Sequence, residues 1–174
     1  MTFKTSITLV AAITSDRGLG KDGQLLVDCP EDMRHFRQVT KNGIVIMGRK
    51  TWESLPERFR PLPGRANIVI TSSKDQSEFP GAYLAESIDK AKEKAQLLSY
   101  CTGQEVFVIG GGTVYEGFKD HITHAIITEY SWTVPSDTKL FELDNTWKRD
   151  MSKSRSIVTD EKTINFNYYY RLKA

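Results

Sequence analysis

Asp32, Phe36 and Thr40 follow one another at four-residue intervals with Met33 alongside, so a helix through them sets a carboxyl among large apolar groups. A carboxylate so placed is costly unless something pairs with it. A planar, amidine-like heterocycle offering two N–H donors would pair with it bidentately. The same acid also suits the first turn of a helix from a solvated face, since Pro30 and Glu31 precede it. These residues alone leave both readings open.

Three further stretches carry groups that bind anions. In VFVIGGGTVYEGF a strand-like run meets Gly110, Gly111 and Gly112 and then a helical pattern, which lets backbone N–H groups approach a phosphate. It is not a GxGxxG fingerprint, and three glycines after a strand also make a plain turn. In IVIMGRKTWESL the strand ends at Gly48, and Arg49, Lys50 and Thr51 gather two cations and a hydroxyl where a helix starts. Arg49 has the planar fork that grips a phosphate, although an isolated GRKT also reads as a solvated pair of cations. In RPLPGR two prolines stiffen a turn and Gly64 permits a reversal, presenting Arg65 to a ligand carboxylate or to solvent. His35, His121 and His124 have no metal-ligand or triad spacing and read as surface residues; no metal site is expected.

The elements that position these groups alternate. Ile7 to Ile13 is a compact β-branched run suited to a strand buried on both faces, and the TSDRGLGKDGQLL segment after it reads as a loop. A helix from Pro30 to about Thr40, a strand Ile44 to Met47 and a helix from Arg49 to Leu55 follow. Then come a strand Ala66 to Ile70, an amphipathic helix Ser87 to Leu98, a strand Glu105 to Ile109 and a helix Thr113 to Phe118. A strand begins at Ala125 to Thr128, and Ser156 to Thr159 with Asn165 to Leu172 predict a closing hairpin. This order predicts an α/β, three-layer fold. Its central, mostly parallel twisted sheet has about eight strands, helices on both faces and an antiparallel C-terminal hairpin. Ligands in such sheets bind beyond the carboxyl ends of the strands, where the motifs above cluster.

Composition agrees with a globular chain. Its 174 residues are 39% hydrophobic and 26% charged, enough for one domain over residues 1–174. A formal net charge of +2, with cations scattered among acids, speaks against a nucleic-acid surface. Cys29 and Cys101 lack CxxC spacing and read as free thiols in a reducing compartment. No signal-peptide or membrane-spanning run is evident, so a cytoplasmic location without a membrane partner is expected.

With their order and spacing, these stretches resemble dihydrofolate reductase over nearly the whole chain: ITLVAAITSDRGLG, CPEDMRHFRQVT, IVIMGRKTWESL, RPLPGRANIVIT, VFVIGGGTVYEGF and SDTKLFE. The resemblance implies NADPH-dependent reduction of 7,8-dihydrofolate to 5,6,7,8-tetrahydrofolate, supporting one-carbon metabolism and thymidylate synthesis, by a monomer. It makes Asp32 the acid that hydrogen-bonds the pterin, and Thr128 the threonine bonded to that acid. Val10, Ala11, Leu25, Met33, Phe36, Leu55, Leu62 and Ile109 match the substrate walls, and Arg65 the arginine that holds the glutamate α-carboxylate. On the cofactor side it implies Ala12, Ile13, Gly18, Leu19 and Gly20, with Ile13 to Leu25 as a mobile lid. It also implies Gly48, Arg49, Lys50, Thr51, Thr71 and Ser72 at the adenosine phosphate. Gly110, Gly111, Gly112, Thr113, Val114 and Tyr115 match the pyrophosphate turn, whose first two glycines share a cis peptide. Protonation is expected through water, with Asp32 as the charged anchor.

Three departures stand out. Leu26 and Val27 occupy the place of the family's Pro-Trp pair, whose indole N–H holds a water near the pterin; valine has no donor. Thr113 stands where many relatives carry a base for the 2′-phosphate, which shifts the NADPH preference onto Arg49, Lys50 and Ser72. Pro56 to Arg60 enlarges a surface loop. No thymidylate synthase segment follows Ala174, which predicts a monofunctional chain. Two alternatives accompany the reading: a homologue that binds folate and NADPH without turnover, and a pyrimidine reductase of the riboflavin pathway. The second should lack the helix acid with its Phe and the RPLPGR arm.

Overall fold

The computed structural model describes residues 5–172. The sequence readings that touch residues 1–4 and 173–174 lie outside the described residues.

The β-branched runs become strands and the amphipathic stretches helices, in nearly the predicted order. The strands up to the first helix are β1 (Ile7–Ile13), β2 (Gly18–Lys21) and β3 (Gln24–Leu25), and α1 (Pro30–Thr40) follows. β4 (Ile44–Gly48), α2 (Arg49–Ser54), β5 (Ala66–Ile70), β6 (Tyr83–Ala85) and α3 (Ile88–Thr102) form the middle of the chain. β7 (Val106–Gly110), α4 (Gly112–Phe118), β8 (His124–Tyr130), β9 (Thr138–Lys139), β10 (Trp147–Arg149), β11 (Arg155–Thr159) and β12 (Lys162–Arg171) complete it. The main sheet runs β10-β12-β8-β1-β7-β4-β5-β6, with β11 paired to β12. The pairs from β8 through β6 are parallel, and β12 joins β8, β10 and β11 antiparallel.

Alternation along β1 builds the two faces. Ile7, Leu9, Ala11 and Ile13 enter a core shared with Ala91 and Ala95 of α3 and Val114, Tyr115 and Phe118 of α4. Val10 turns to the opposite face and packs with Met47, Trp52 of α2, and Phe36 and Val39 of α1. Helices therefore cover both faces, as expected. At the sheet's centre Leu9, Ile46 and Val108 are wholly buried, which is why these strands read as continuous apolar runs.

Several readings are corrected. The stretch read as a loop after β1 carries two strands, because β2 pairs with both β3 and β9 in a small separate sheet. β9 lies more than a hundred residues away, so local pattern does not reveal this pairing. The α3 helix runs on to Thr102, beyond the expected end at Leu98, and stops where Gly103 adopts φ +72°. Ser87 is its N-cap, accepting from Lys90 N–H at 3.1 Å. The strand read as beginning at Ala125 starts one residue earlier, at His124, and runs to Tyr130. His35 is not a surface residue: it is buried beneath β12, with its ring edge-on to Phe166 at 4.6 Å. Its place on the inner stripe of α1 overrides its polarity. Both cysteines are free thiols, Cys29 buried and Cys101 exposed.

Candidate active site

The parallel order brings the carboxyl ends of β1, β4, β5, β7 and β8 to one rim of the sheet, and the motifs sit along that rim. Asp32 projects from the first turn of α1, a helix started by Pro30 with Cys29 as its N-cap residue. Opposite it is Thr128 on β8, in register between Ala12 of β1 and Phe166 of β12. Thr128 Oγ1 donates to Asp32 Oδ1 at 2.6 Å. Burial pushes the Asp32 carboxyl above the usual carboxylate range, and the Thr128 hydrogen bond opposes that rise. No cation among the described residues pairs with Asp32, so its charge is left for a donor from outside the protein.

One apolar cluster gathers most of the expected substrate wall: Val10 and Leu62 are buried in it, and Phe36, Leu55 and Ile109 pack against it half-buried. Its far end is Arg65. Arg65 Nε donates to Pro63 O at 3.0 Å and Nη1 to Thr40 Oγ1 at 2.9 Å, and its guanidinium lies 5.9 Å from the Phe36 ring centre. Burial, then the neighbouring Arg37, lowers the Arg65 pKa, so a carboxylate is welcome beside it. Gly64 takes φ +69°, the reversal the sequence anticipated, and the Arg60–Pro61 peptide is cis. The turn is clamped by Asn67, which accepts from Leu62 N–H and donates to Leu62 O and Arg65 O, at 2.9, 3.1 and 3.0 Å.

Along the rest of the rim, glycines expose backbone where β4 and β7 end side by side. Gly110 has φ +126°, which excludes side chains, and the Gly110–Gly111 peptide is cis. A Cβ on Gly112 would stand 2.5 Å from Thr138 Cγ2, so the turn fits closely under the small sheet. Arg49 and Lys50 are exposed at the start of α2, and Thr51 Oγ1 faces the Gly110–Gly111 turn. Arg49 pairs with Glu53 at 2.9 Å, both half exposed, a weak bond that a phosphate can replace. Thr71 is buried and accepts from Ser73 N–H, whereas Ser72 is exposed beside a depression of about 550 Å³. Two cations, hydroxyls and open backbone N–H groups on one rim form a donor set suited to a dinucleotide's phosphates.

A sequence model of the family Dihydrofolate reductase matches residues 6–172. The chain belongs to the dihydrofolate reductase family. It is 34% identical to a dihydrofolate reductase of Mycobacterium tuberculosis, over 87% of this chain and 89% of that one. It is also 34% identical to bifunctional dihydrofolate reductase-thymidylate synthase 1 of Arabidopsis thaliana, over 95% of this chain. Here it spans 34% of that protein's length. A dihydrofolate reductase of Pneumocystis carinii is 36% identical over 70% of this chain and 66% of its own.

Within this dihydrofolate reductase fold, not every expected site residue converges through its side chain. Ala11 and Ile13 turn into the core opposite Asp32, leaving only their backbone on the rim. Val114 and Tyr115 are buried too, and Tyr115 Oη donates to Val10 O at 2.7 Å, tying α4 to β1. Met33 is 42% exposed and Leu25 68% exposed, the first on the open side of α1 and the second on β3 of the small sheet. Of the two glycines on β2, a Cβ on Gly18 would meet Thr14 Oγ1 at 2.6 Å, and Gly20 pairs with Leu25 and Thr138. Leu19 packs half-buried on the core, and Asp22 N–H donates to Asp137 Oδ2 at 2.8 Å. Thr113 is exposed, and Pro56 to Phe59 is exposed around a short 3-10 turn, as the enlarged loop predicts. Two supporting residues escaped the sequence reading. Asn67 sits inside an apolar strand, and a polar residue there was the available signal. Tyr130, two residues beyond Thr128 on the same strand face, also lines a small cavity with Asp32.

Proposed function

We propose that this chain catalyses NADPH-dependent reduction of 7,8-dihydrofolate to 5,6,7,8-tetrahydrofolate. The observation that carries the proposal is the pairing of two complementary ends on one apolar wall. At one end is a half-buried carboxylate with Thr128 as its hydrogen-bond partner. At the other is Arg65, braced by Thr40 and poised for a carboxylate. A pterin with a glutamate tail has matching ends: an N–H edge and an anionic terminus.

The hydride for the pterin imine carbon would come from NADPH when it is bound. Arg49, Lys50, Thr51, Thr71 and Ser72 would hold its adenosine phosphate, and the Gly110–Thr113 turn its pyrophosphate. Ala12 and Ile13, with the lid residues Gly18, Leu19 and Gly20, would border its nicotinamide end. Asp32 accepts two N–H bonds from the pterin edge and orients the ring, and its charge favours the protonated, more electrophilic ring. Val10, Phe36, Leu55, Leu62 and Ile109 exclude water from the ring faces, which strengthens that interaction. The ring nitrogen beside the imine carbon takes its proton through water. The small sheet of β2, β3 and β9 acts as the lid over this end.

The Arg65 arm and the Asp32–Phe36 stripe favour this reading over a pyrimidine reductase. The reading extends to residues 1–174 as one domain, a cytoplasmic monomer with neither nucleic-acid nor membrane partners, serving one-carbon metabolism and thymidylate synthesis. Among the described residues no helix is long and apolar enough to cross a membrane. The test is loss of NADPH absorbance with dihydrofolate as second substrate, repeated with NADH. Turnover with NADPH is expected; binding of both ligands without oxidation would replace the proposal with the non-catalytic reading.

A further inference from the structure

Tyr130 closes β8 on the face that carries Thr128 and is only 3% exposed. Its ring packs on Trp132 at 4.9 Å between centres, and among the described residues its Oη has no partner that meets hydrogen-bond geometry. A buried hydroxyl in that state costs free energy unless a water or ligand satisfies it. Together with Asp32, Ala12, Leu26 and Val27, Tyr130 encloses a cavity of about 10 Å³, the room of about one water. Most of this wall is apolar. Thr14, its other hydroxyl, already donates to Asp16 and accepts from Gly18 N–H. A water there has two polar partners, the phenol and the carboxylate, and Val27 offers none.

We propose that Tyr130 is a positioning residue that holds one water against Asp32, on the path by which a solvent proton reaches the substrate. The inference rests on the dihydrofolate reductase reading above. The net step is uptake of one solvent proton by the ring nitrogen; the water relays it, and Tyr130 neither gains nor loses one. The groups around the phenol keep it a neutral donor. Asp28, Cys29 and Asp32 at the start of α1 face it, and burial, then the charge of Asp32, pushes its pKa well up. The Cys29 thiol donates to Glu31 Oε2 at 3.5 Å and also lies against the phenol, as a soft sulfur neighbour that raises its pKa and leaves room for a stronger oxygen partner. Tyr115 of α4, which also feels the Asp32 charge, is committed to Val10 O.

Tyr130→Phe keeps the ring on Trp132 and removes only the hydroxyl. In single-turnover NADPH oxidation with dihydrofolate, the rate should fall about tenfold, the worth of one hydrogen bond. The apparent pKa of its pH profile should move upward, because the carboxylate loses a water that favours its charged form. NADPH affinity and melting temperature should not fall. A high-resolution crystal structure of the unmodified protein should show a water within hydrogen-bond reach of both Tyr130 Oη and Asp32, and the variant should lack it. A superimposable pH profile, or a dry cavity in the unmodified protein, would overturn the proposal. If the unmodified protein oxidises no NADPH with dihydrofolate, the functional reading fails instead, and the crystallographic water still decides the site.

Discussion

Asp32→Asn exchanges one carboxylate oxygen for an amide nitrogen of nearly the same size, so it changes charge and hydrogen bonding while leaving packing alone. Thr128 still has an oxygen to donate to, and the amide N–H₂ then faces the pterin edge, donor against donor. Two hydrogen bonds to a charged acceptor are lost, at about 1.5–3 kcal/mol each. Together that is about 3–6 kcal/mol, or roughly 10²–10⁴-fold in kcat/KM at neutral pH. Stability should move the other way. Burial holds the Asp32 carboxyl above its ordinary value, so the folded chain keeps a proton that the unfolded chain has released. From about pH 3.9, the unfolded value, the native state binds more protons than the unfolded one, and stability falls with rising pH until the folded pKa is passed. Asparagine has no such proton. The Tm of the variant should therefore gain on the unmodified protein as pH rises through that window, then hold a constant lead. The assays are steady-state kinetics and thermal unfolding across pH, with NADPH affinity as the control for an intact cofactor rim. A variant within tenfold of normal kcat/KM, or a Tm difference that does not grow with pH, would refute the reasoning.

Arg65→Leu removes the proposed carboxylate clamp, a charged hydrogen bond of about 2–3 kcal/mol, and should raise KM for dihydrofolate about 30- to 150-fold with little change in kcat. A pterin substrate lacking the glutamate should barely distinguish the variant; an equal loss with that substrate argues against the assigned role. Asn67→Ala breaks the clamp on the Leu62–Arg65 turn and should cost about 2–3 kcal/mol in denaturant unfolding while also raising KM, since three modest bonds are lost at once. For His35, burial lowers the pKa, so the unfolded chain takes up a proton that the folded one refuses. Stability should fall as pH drops below about 6.5, and His35→Phe should flatten that part of the curve in thermal unfolding.

How far the site was legible depended on whether its residues share a local pattern. Asp32 and Phe36 announce themselves by helical spacing, Arg65 by its proline-stiffened turn, and the Gly110 turn by what φ +126° demands. The small sheet did not show, since β2 is too short and too rich in glycine for alternation and is completed by β9 from a distant part of the chain. His35 read as a surface histidine because its burial is set by Phe166 and Tyr168, which β12 delivers from far along the sequence.

What the sequence by itself determined is the order of elements, the parallel core and the acid at the head of α1. Each follows from contacts within a few residues, where periodicity and turn chemistry act. Tertiary structure decided what that acid meets. Thr128 and Tyr130 reach it from about a hundred residues away because β8 lies beside β1 and under α1. Burial raises the Asp32 carboxyl, and no local pattern encodes burial. Strand pairing over that distance closes the cavity, so its partners emerge only once the sheet is assembled.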